Sequence, residues 1–269
     1  DDPPFVHFEL IPDHLPDRLK HSIAKFPDGT LQFEIGIQTF DPGVQTRISR
    51  RQNDEKAVAN LRWLREHSSA HLHVDLIAGL PGENVESFAR GFDALVALAP
   101  HEIQFGILKR LRGAPIDRHT QAHDLRFNPD PPYNILSTDV IDFATMQRLS
   151  RFSRYWDMVA NSGRFVRTLP LLLGDAPFQR FLAFSDWLYG RTGQTHAIAH
   201  ERMVHAVQAF MTEEGGIGTE AANRALIEDY RGQGGRSRLA FEDQDVARPV
   251  PVPRKKSATP PRQMRHLAG

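Results

Sequence analysis

Apolar and polar residues alternate along four short stretches of the chain, and between those stretches the apolar residues recur at helical spacing. Residues 5–10 (FVHFEL) alternate, and residues 16–26 follow with Leu15, Leu19, Ile23 and Phe26 on one helical stripe before Pro27, Asp28 and Gly29 stop the helix. Residues 31–39 (LQFEIGIQT) alternate again, with Leu31, Phe33, Ile35 and Ile37 on one face. Asp54 opens a second helix striped by Val58, Leu61, Trp63 and Leu64. Residues 71–78 (HLHVDLIA) form the third strand, Pro81 and Gly82 break it, and Asn84 starts a helix through Phe88, Phe92, Leu95 and Leu98. Residues 102–108 (EIQFGIL) make the fourth strand. Strands that alternate with helices in this way predict βαβ units, hence a parallel sheet with right-handed crossovers.

Beyond Arg118 the period changes. A Pro- and Asn-rich loop over residues 128–134 leads into helices only. Residues 139–161 carry Ile141, Met146, Leu149, Phe152, Trp156 and Val159 at helical spacing, with Gly163 placed as a C-cap. Asp175 and Pro177 mark the start of another helix running to Tyr189, and residues 196–213 and 219–230 supply two more. The predicted fold class is α/β, a partial (βα) barrel of about four parallel strands followed by an all-α module. The predicted domains are residues 1–118, 119–241, and a disordered basic Pro-rich tail over 242–269.

Composition narrows the function classes. Lys plus Arg and Asp plus Glu both count 33, so no global charge draws the chain to nucleic acid or to a membrane surface. No apolar run approaches the ~18 residues of a membrane span, and no secretory signal opens the chain. Cysteine is absent, which excludes disulfides and any thiolate-held cluster within the chain and points to a cytoplasmic home. The chain opens on Asp1 rather than Met, which reads as processing, a tag or truncation.

Candidate chemistry collects where parallel βα folds place it, at the C-terminal ends of strands. Glu9 closes the first strand, Gln38 the second, and Asp75 lies late in the third, followed by IAGLPGE. Gln and Asp side chains on neighbouring strand tops suit a ribose, Gly79 and Gly82 allow close backbone approach, and Arg50 can pair a carboxylate. The bland alternative is that Glu9 and Asp75 bridge loops and the glycines make turns.

GIQTFDPGVQTRISR (residues 36–50) resembles the fourth-strand motif of radical S-adenosylmethionine enzymes, in particular the branch of the oxygen-independent coproporphyrinogen oxidases. DLIAGLPGE (75–83) resembles their fifth-strand motif, HFE (7–9) their third strand, and EIQFGILKRLRGAPI (102–116) their sixth. NSGRF (161–165) and DWLYGRTGQTHAIA (186–199) resemble a helical domain of unknown function found behind such barrels in proteins with an N-terminal cobalamin-binding domain. The resemblance implies that Gln38 and Asp75 hold the ribose of S-adenosylmethionine, that Arg50 meets its carboxylate with Glu9 nearby, and that the backbone around Gly106 and Leu108 meets the adenine. It implies a 4Fe–4S cluster, cobalamin in a missing domain, a small-molecule or unknown substrate, and a reductant such as flavodoxin or ferredoxin. It names no catalytic residue and no metal ligand within this chain. The three-cysteine and Gly-Gly-Glu motifs of such enzymes are absent, so the expectation is a C-terminal fragment, inactive alone, with an open first-strand edge. Residues such as Leu31 and Phe33, or their opposite-face neighbours, are expected to lose packing in such an open arc.

Two rivals remain. His71, His73 and Asp75 spell HxHxD on one strand face, as in a metal-dependent hydrolase; His71 and Asp75 lie ~13 Å apart along a straight strand and one ion cannot take both, so the hydrolase would use His73 and Asp75. A non-catalytic binding module is the other, with Arg148, Arg151, Arg154, Arg164 and Arg167 either meeting an acidic partner or forming a solvated face.

Overall fold

The computed structural model describes residues 3–242 and 259–267. Packing divides the chain into two units, residues 3–153 and residues from 154 onward, with the division inside one long helix.

The first unit is built on β1 (Val6–Leu10), β2 (Leu31–Gln38), β3 (His71–Ala78) and β4 (Glu102–Ile107), all parallel and in sequential order. Helices α1 (Asp17–Ile23), α2 (Pro42–Arg47), α3 (Asp54–His67) and α4 (Val85–Ala97) lie between them. Local chemistry sets the helix starts. Asp41, Asn53 and Asn84 each accept the N–H three residues on, at 2.9, 2.9 and 2.8 Å, and so cap α2, α3 and α4. This is a partial βα-barrel-like core, and a run of helices follows it.

The sheet is amphipathic in an unusual sense. On the side toward the helices, Leu31, Phe33, Ile35 and Ile37 of β2, Leu72, Val74, Leu76 and Ala78 of β3, and Ile103 and Phe105 of β4 are buried. Leu61, Leu64, Phe88, Phe92 and Phe152 are buried in the same unit, and Phe152 meets Phe92 edge-on at 5.2 Å. Each such side chain contributes about 1.5–3 kcal/mol by leaving water. The other side is polar. The register aligns His7 with Gln32 and Gln32 with His71, then Glu9 with Glu34, His73 and Glu102, then Gly36 with Asp75 and Gln104.

This polarity corrects the expected cost of an open arc. β1 pairs only with β2 among the described residues, and Phe8 is half exposed, yet Leu31 and Phe33 are 2% and 4% exposed. The apolar residues of β2 face the helix layer, while on the other side His7 and Glu9 of the edge strand are exposed and the more central Gln32, His71 and Glu102 are buried.

After β4 come a 3₁₀ turn (Pro115–His119) and a small antiparallel pair, β5 (Arg126–Phe127) and β6 (Ile135–Ser137), leading into α5 (Phe143–Val159). β6 fixes one glycine. Gly79 has φ +89°, and a Cβ there would stand 2.6 Å from Ile135 Cγ2 and 3.1 Å from Met146 Cε. Gly79→Ala is therefore expected to cost about 1–3 kcal/mol from backbone strain and crowding. A denaturant midpoint equal to that of the wild type would show that Ile135 yields freely.

The second unit contains the end of α5 with α6 (Thr168–Leu173), α7 (Pro177–Thr192), α8 (His200–Glu213), α9 (Thr219–Gly232) and α10 (Pro261–Leu267). Trp156 packs edge-on against Phe181, Phe181 against Phe184, and Phe184 against Phe210, at 5.0–5.5 Å. α6 has no cap of its own. Asp229, on α9, accepts from the backbone N–H groups of Arg167 and Thr168 and from Thr168 Oγ1, at 3.1, 2.9 and 2.7 Å. Of the stretch expected as a tail, residues 243–258 and 268–269 lie outside the described residues, and Pro261–Leu267 is helical. No helix among the described residues is long and apolar enough to cross a membrane.

Candidate functional site

Alternation along β3 puts His71, His73 and Asp75 on the polar side of the sheet, and the β3–β4 register sets Glu102 beside His73. Glu102 and His71 are almost fully buried, and the Glu102 carboxylate presents one oxygen to each imidazole. Its Oε1 lies 3.2 Å from His71 Nε2 and its Oε2 lies 3.7 Å from His73 Nδ1. The other nitrogen of His73, Nε2, stands 2.8 Å from Gln104 Oε1 and 3.5 Å from Asp75 Oδ1. His71 also stacks on His101, with ring centroids 4.7 Å apart.

Asp75 opens onto a cleft of about 600 Å³ lined by Glu9, Glu34, Gln38, Arg50, Arg51 and Gln52 among others. Burial pushes the Asp75 carboxyl up to about 7, and the charges of Glu34 and Glu9 push in the same direction. Asp75 Oδ1 is buried and accepts no hydrogen bond among the described residues. Gln38 adopts a left-handed conformation, φ +70°, where the β2–β3 register shifts, so a bulge ends β2 at the cleft. Arg50 donates from Nη2 to the Gly36 carbonyl and from Nε to Gln52 Oε1 at 3.0 Å. One of its N–H groups is thereby latched to β2 and another to Gln52.

The structure thus gathers Glu9, Gln38, Arg50 and Asp75 around one cleft. It does not bring Gly79, Gly106 or Leu108 to it. Gly79 packs under Ile135, and a Cβ on Gly106 would sit 3.2 Å from the Leu76 carbonyl. The Leu108 N–H donates to Ala78 O at 3.0 Å, and its carbonyl accepts from Ile135 N at 2.8 Å, so its backbone groups are used within the fold. Glu34, Glu102 and Gln104 are site residues that sequence reasoning passed over. Glu34 was legible from the alternation of β2. Glu102 and Gln104 join the histidines only through the β3–β4 register, which no single strand reveals.

The donor set corrects the cofactor expectations. The chain has no cysteine, and the potential metal ligands that converge among the described residues are imidazoles and one carboxylate, His71 and Glu102 among them. A 4Fe–4S cluster is held by thiolates. The expected iron–sulfur cluster, the reductive cleavage of S-adenosylmethionine and the linked cobalamin are not supported by this nitrogen and oxygen set. The assignment of an inactive radical-enzyme fragment falls with them.

Comparison with known proteins places partial relatives beside this geometry. Oxygen-independent coproporphyrinogen III oxidase of Paracoccus denitrificans is 28% identical over 95 residues, 35% of this chain and 21% of the relative. Anaerobic coproporphyrinogen III oxidase 1 of Cereibacter sphaeroides is 37% identical over 76 residues, 28% of this chain and 17% of the relative. The chain spans about a fifth of the length of these curated relatives. Among solved structures, the coproporphyrinogen III oxidase of Escherichia coli, a radical SAM enzyme, is 28% identical, covers 43% of this chain and 26% of its own, and has a TM-score of 0.37. A radical S-adenosylmethionine methyltransferase of Kitasatospora setae is 16% identical, covers 47% and 26%, and has a TM-score of 0.38. Residues 121–240 match a family described as Protein of unknown function (DUF4080), and residues 5–95 match the Radical SAM superfamily. The superfamily match falls on residues 5–95, at the N-terminal side of a chain without cysteine, and this does not support the expected C-terminal fragment lacking only the cluster-binding half.

Proposed function

We propose that the polar side of β3 and β4 holds a divalent cation such as Zn²⁺ and that the chain acts as a metal-dependent hydrolase on a small molecule bound in the adjoining cleft. The observation that carries this reading is Glu102 between two imidazoles, with carboxylate–nitrogen separations of 3.2 and 3.7 Å. Ligands 2.0–2.2 Å from a tetrahedral ion lie roughly 3.3–3.6 Å from one another. His71 and Glu102 are ligands in this reading, and His73 stands at the second oxygen of the same carboxylate. This meets the objection that His71 and Asp75 cannot share an ion, because the neighbouring strand supplies the carboxylate. Gln104 holds the second nitrogen of His73 at 2.8 Å, and His73 faces the Glu102 carboxylate with its other nitrogen, so that an outer shell steadies the ligand.

A bound cation would activate water by lowering its pKa. The chain's own groups do the rest. Asp75, at the cleft wall, takes the proton of the attacking water, while Gln38, Arg51 and the latched Arg50 give the substrate polar and cationic contacts. Such chemistry moves no electrons, so a flavodoxin or ferredoxin partner has no place in it. A cytoplasmic location belongs to the same reading and rests on the cysteine-free composition.

Metal analysis of the purified chain, prepared without added iron, is expected to give one equivalent of zinc or a similar divalent ion. Glu102→Gln is expected to weaken its binding by at least about 100-fold, and Gln104→Ala by about 10–100-fold. Hydrolysis of activated phosphate and carboxylate esters should fall in step with metal content. No bound metal, or binding indifferent to Glu102, would rule the centre out. Stoichiometric metal without turnover on any ester would leave a metal-binding module and overturn the hydrolase.

A further inference from the structure

A second cavity, of about 190 Å³, lies wholly within the helical unit, between the end of α5, the start of α8 and α10. Its lining includes Arg164, Arg262, Arg265, Asp157, Ser162 and His200. Among the described lining residues, three guanidiniums and one carboxylate sum to a formal charge of +2 at pH 7, because His200 is neutral there. Burial, followed by the charges of Arg164 and Arg265, holds the His200 imidazole down to about 4.

The cations are fixed in place. Arg262 donates from Nη2 to Asp157 Oδ1 at 2.6 Å and from Nε to the Asn161 carbonyl at 3.1 Å. Arg265 donates from Nε to the Ser162 carbonyl at 2.6 Å. The Arg164 guanidinium has neither a hydrogen bond nor an ion pair among the described residues. His200 Nε2 is buried and without a hydrogen-bond partner among them. The sequence offers Arg164 as part of an arginine-rich run that an acidic partner could meet. The structure sets it with two arginines about a hundred residues later in the chain.

Like charges held together around a small, partly buried volume are a net cost until an anion neutralises them, and guanidiniums suit tetrahedral oxyanions through paired N–H donors. We propose that this cavity binds the phosphate group of a small phosphorylated molecule, with Arg164 and Arg265 as its principal cations. A phosphate monoester dianion matches the +2 charge, whereas a carboxylate balances half of it. The volume admits the phosphate and little of what it is attached to, so the remainder of the ligand would extend outward.

The test is calorimetric titration of the whole chain at pH 8 and fixed ionic strength with inorganic phosphate, glycerol 3-phosphate and acetate. Phosphate or its ester is expected to bind at least ten-fold more tightly than acetate. A tighter ester identifies a phosphorylated metabolite, and tighter inorganic phosphate identifies the free ion. Arg164→Gln, which breaks no contact seen among the described residues, is expected to weaken binding at least ten-fold with an unchanged melting temperature in phosphate-free buffer. Arg265→Gln should weaken it likewise. Equal affinity for phosphate and acetate would overturn the proposal, as would wild-type phosphate affinity in both variants. Should a variant fold poorly, the wild type still decides: phosphate must raise its melting temperature more than acetate at the same ionic strength.

Discussion

Replacing Glu83 with glutamine is expected to stabilise the protein by on the order of 3 kcal/mol at pH 8 and to change little near pH 4. Glu83 is 2% exposed in the loop after β3. Its Oε1 accepts from Thr39 Oγ1 at 2.5 Å, and its Oε2 has no hydrogen-bond partner among the described residues. Burial pushes its carboxyl up to about 7. The Thr39 hydroxyl pulls it back in part, Asp41 adds to the rise and Arg47 opposes it. An acid whose folded pKa is raised favours the protonated fold. Its contribution is fully present below the unfolded value near 4.5 and is lost as pH rises through about 7. Glutamine keeps the oxygen that Thr39 bonds and never ionises, so it escapes this loss. Urea unfolding of both proteins between pH 4 and 8 measures the difference, and parallel stability profiles would show that Glu83 titrates normally.

The largest loss of stability is expected from Phe152→Ala, about 3–5 kcal/mol. Phe152 is completely buried, meets Phe92 edge-on at 5.2 Å and tilts against Phe105 at 4.8 Å. Removing the ring takes a cornerstone from the layer behind β4 and leaves a void that rigid neighbours cannot fill. Phe143, at the start of the same helix, is more than half exposed. Phe143→Ala should change stability by less than about 0.5 kcal/mol and serves as the control. A Phe152→Ala protein within 1 kcal/mol of wild type would mean that the helix shifts to close the gap.

The strands and the longer helices were legible in the sequence because each carries its own signal. β3 repeats HLHVDLIA with one face aliphatic, and α4 starts where Asn84 caps it. Short elements carried too little pattern. The six residues of α2 announce themselves only by Asp41 before Pro42, and β5 and β6 are too brief for a period. α6 (TLPLLL) carries no capping side chain of its own, because its cap, Asp229, lies about sixty residues away on α9. The cleft was partly legible. Glu9, Gln38, Arg50 and Asp75 do meet, since strand ends and the turns after them share one end of a parallel sheet. Gly79 was singled out for close backbone approach, and Gly106 and Leu108 through motif resemblance; none of the three lines the cleft. The iron–sulfur and S-adenosylmethionine chemistry came from the same resemblance, against a composition that has no thiol to offer.

On β3 the odd-numbered residues carry the titratable groups and the even-numbered ones, Leu72, Val74, Leu76 and Ala78, carry the aliphatic core. Fold and chemistry are therefore written in opposite parity on a single strand. A one-residue insertion or deletion in the turn before His71 would exchange the two sets, driving imidazoles and a carboxylate into the helix layer and leucines onto the open side. Substitutions can erode the site while sparing the core, or the reverse, but a length change there strikes both together. The spacing between α3 and β3 therefore serves the core and the site at once, and a change of length there is expected to cost more than any single substitution in the strand.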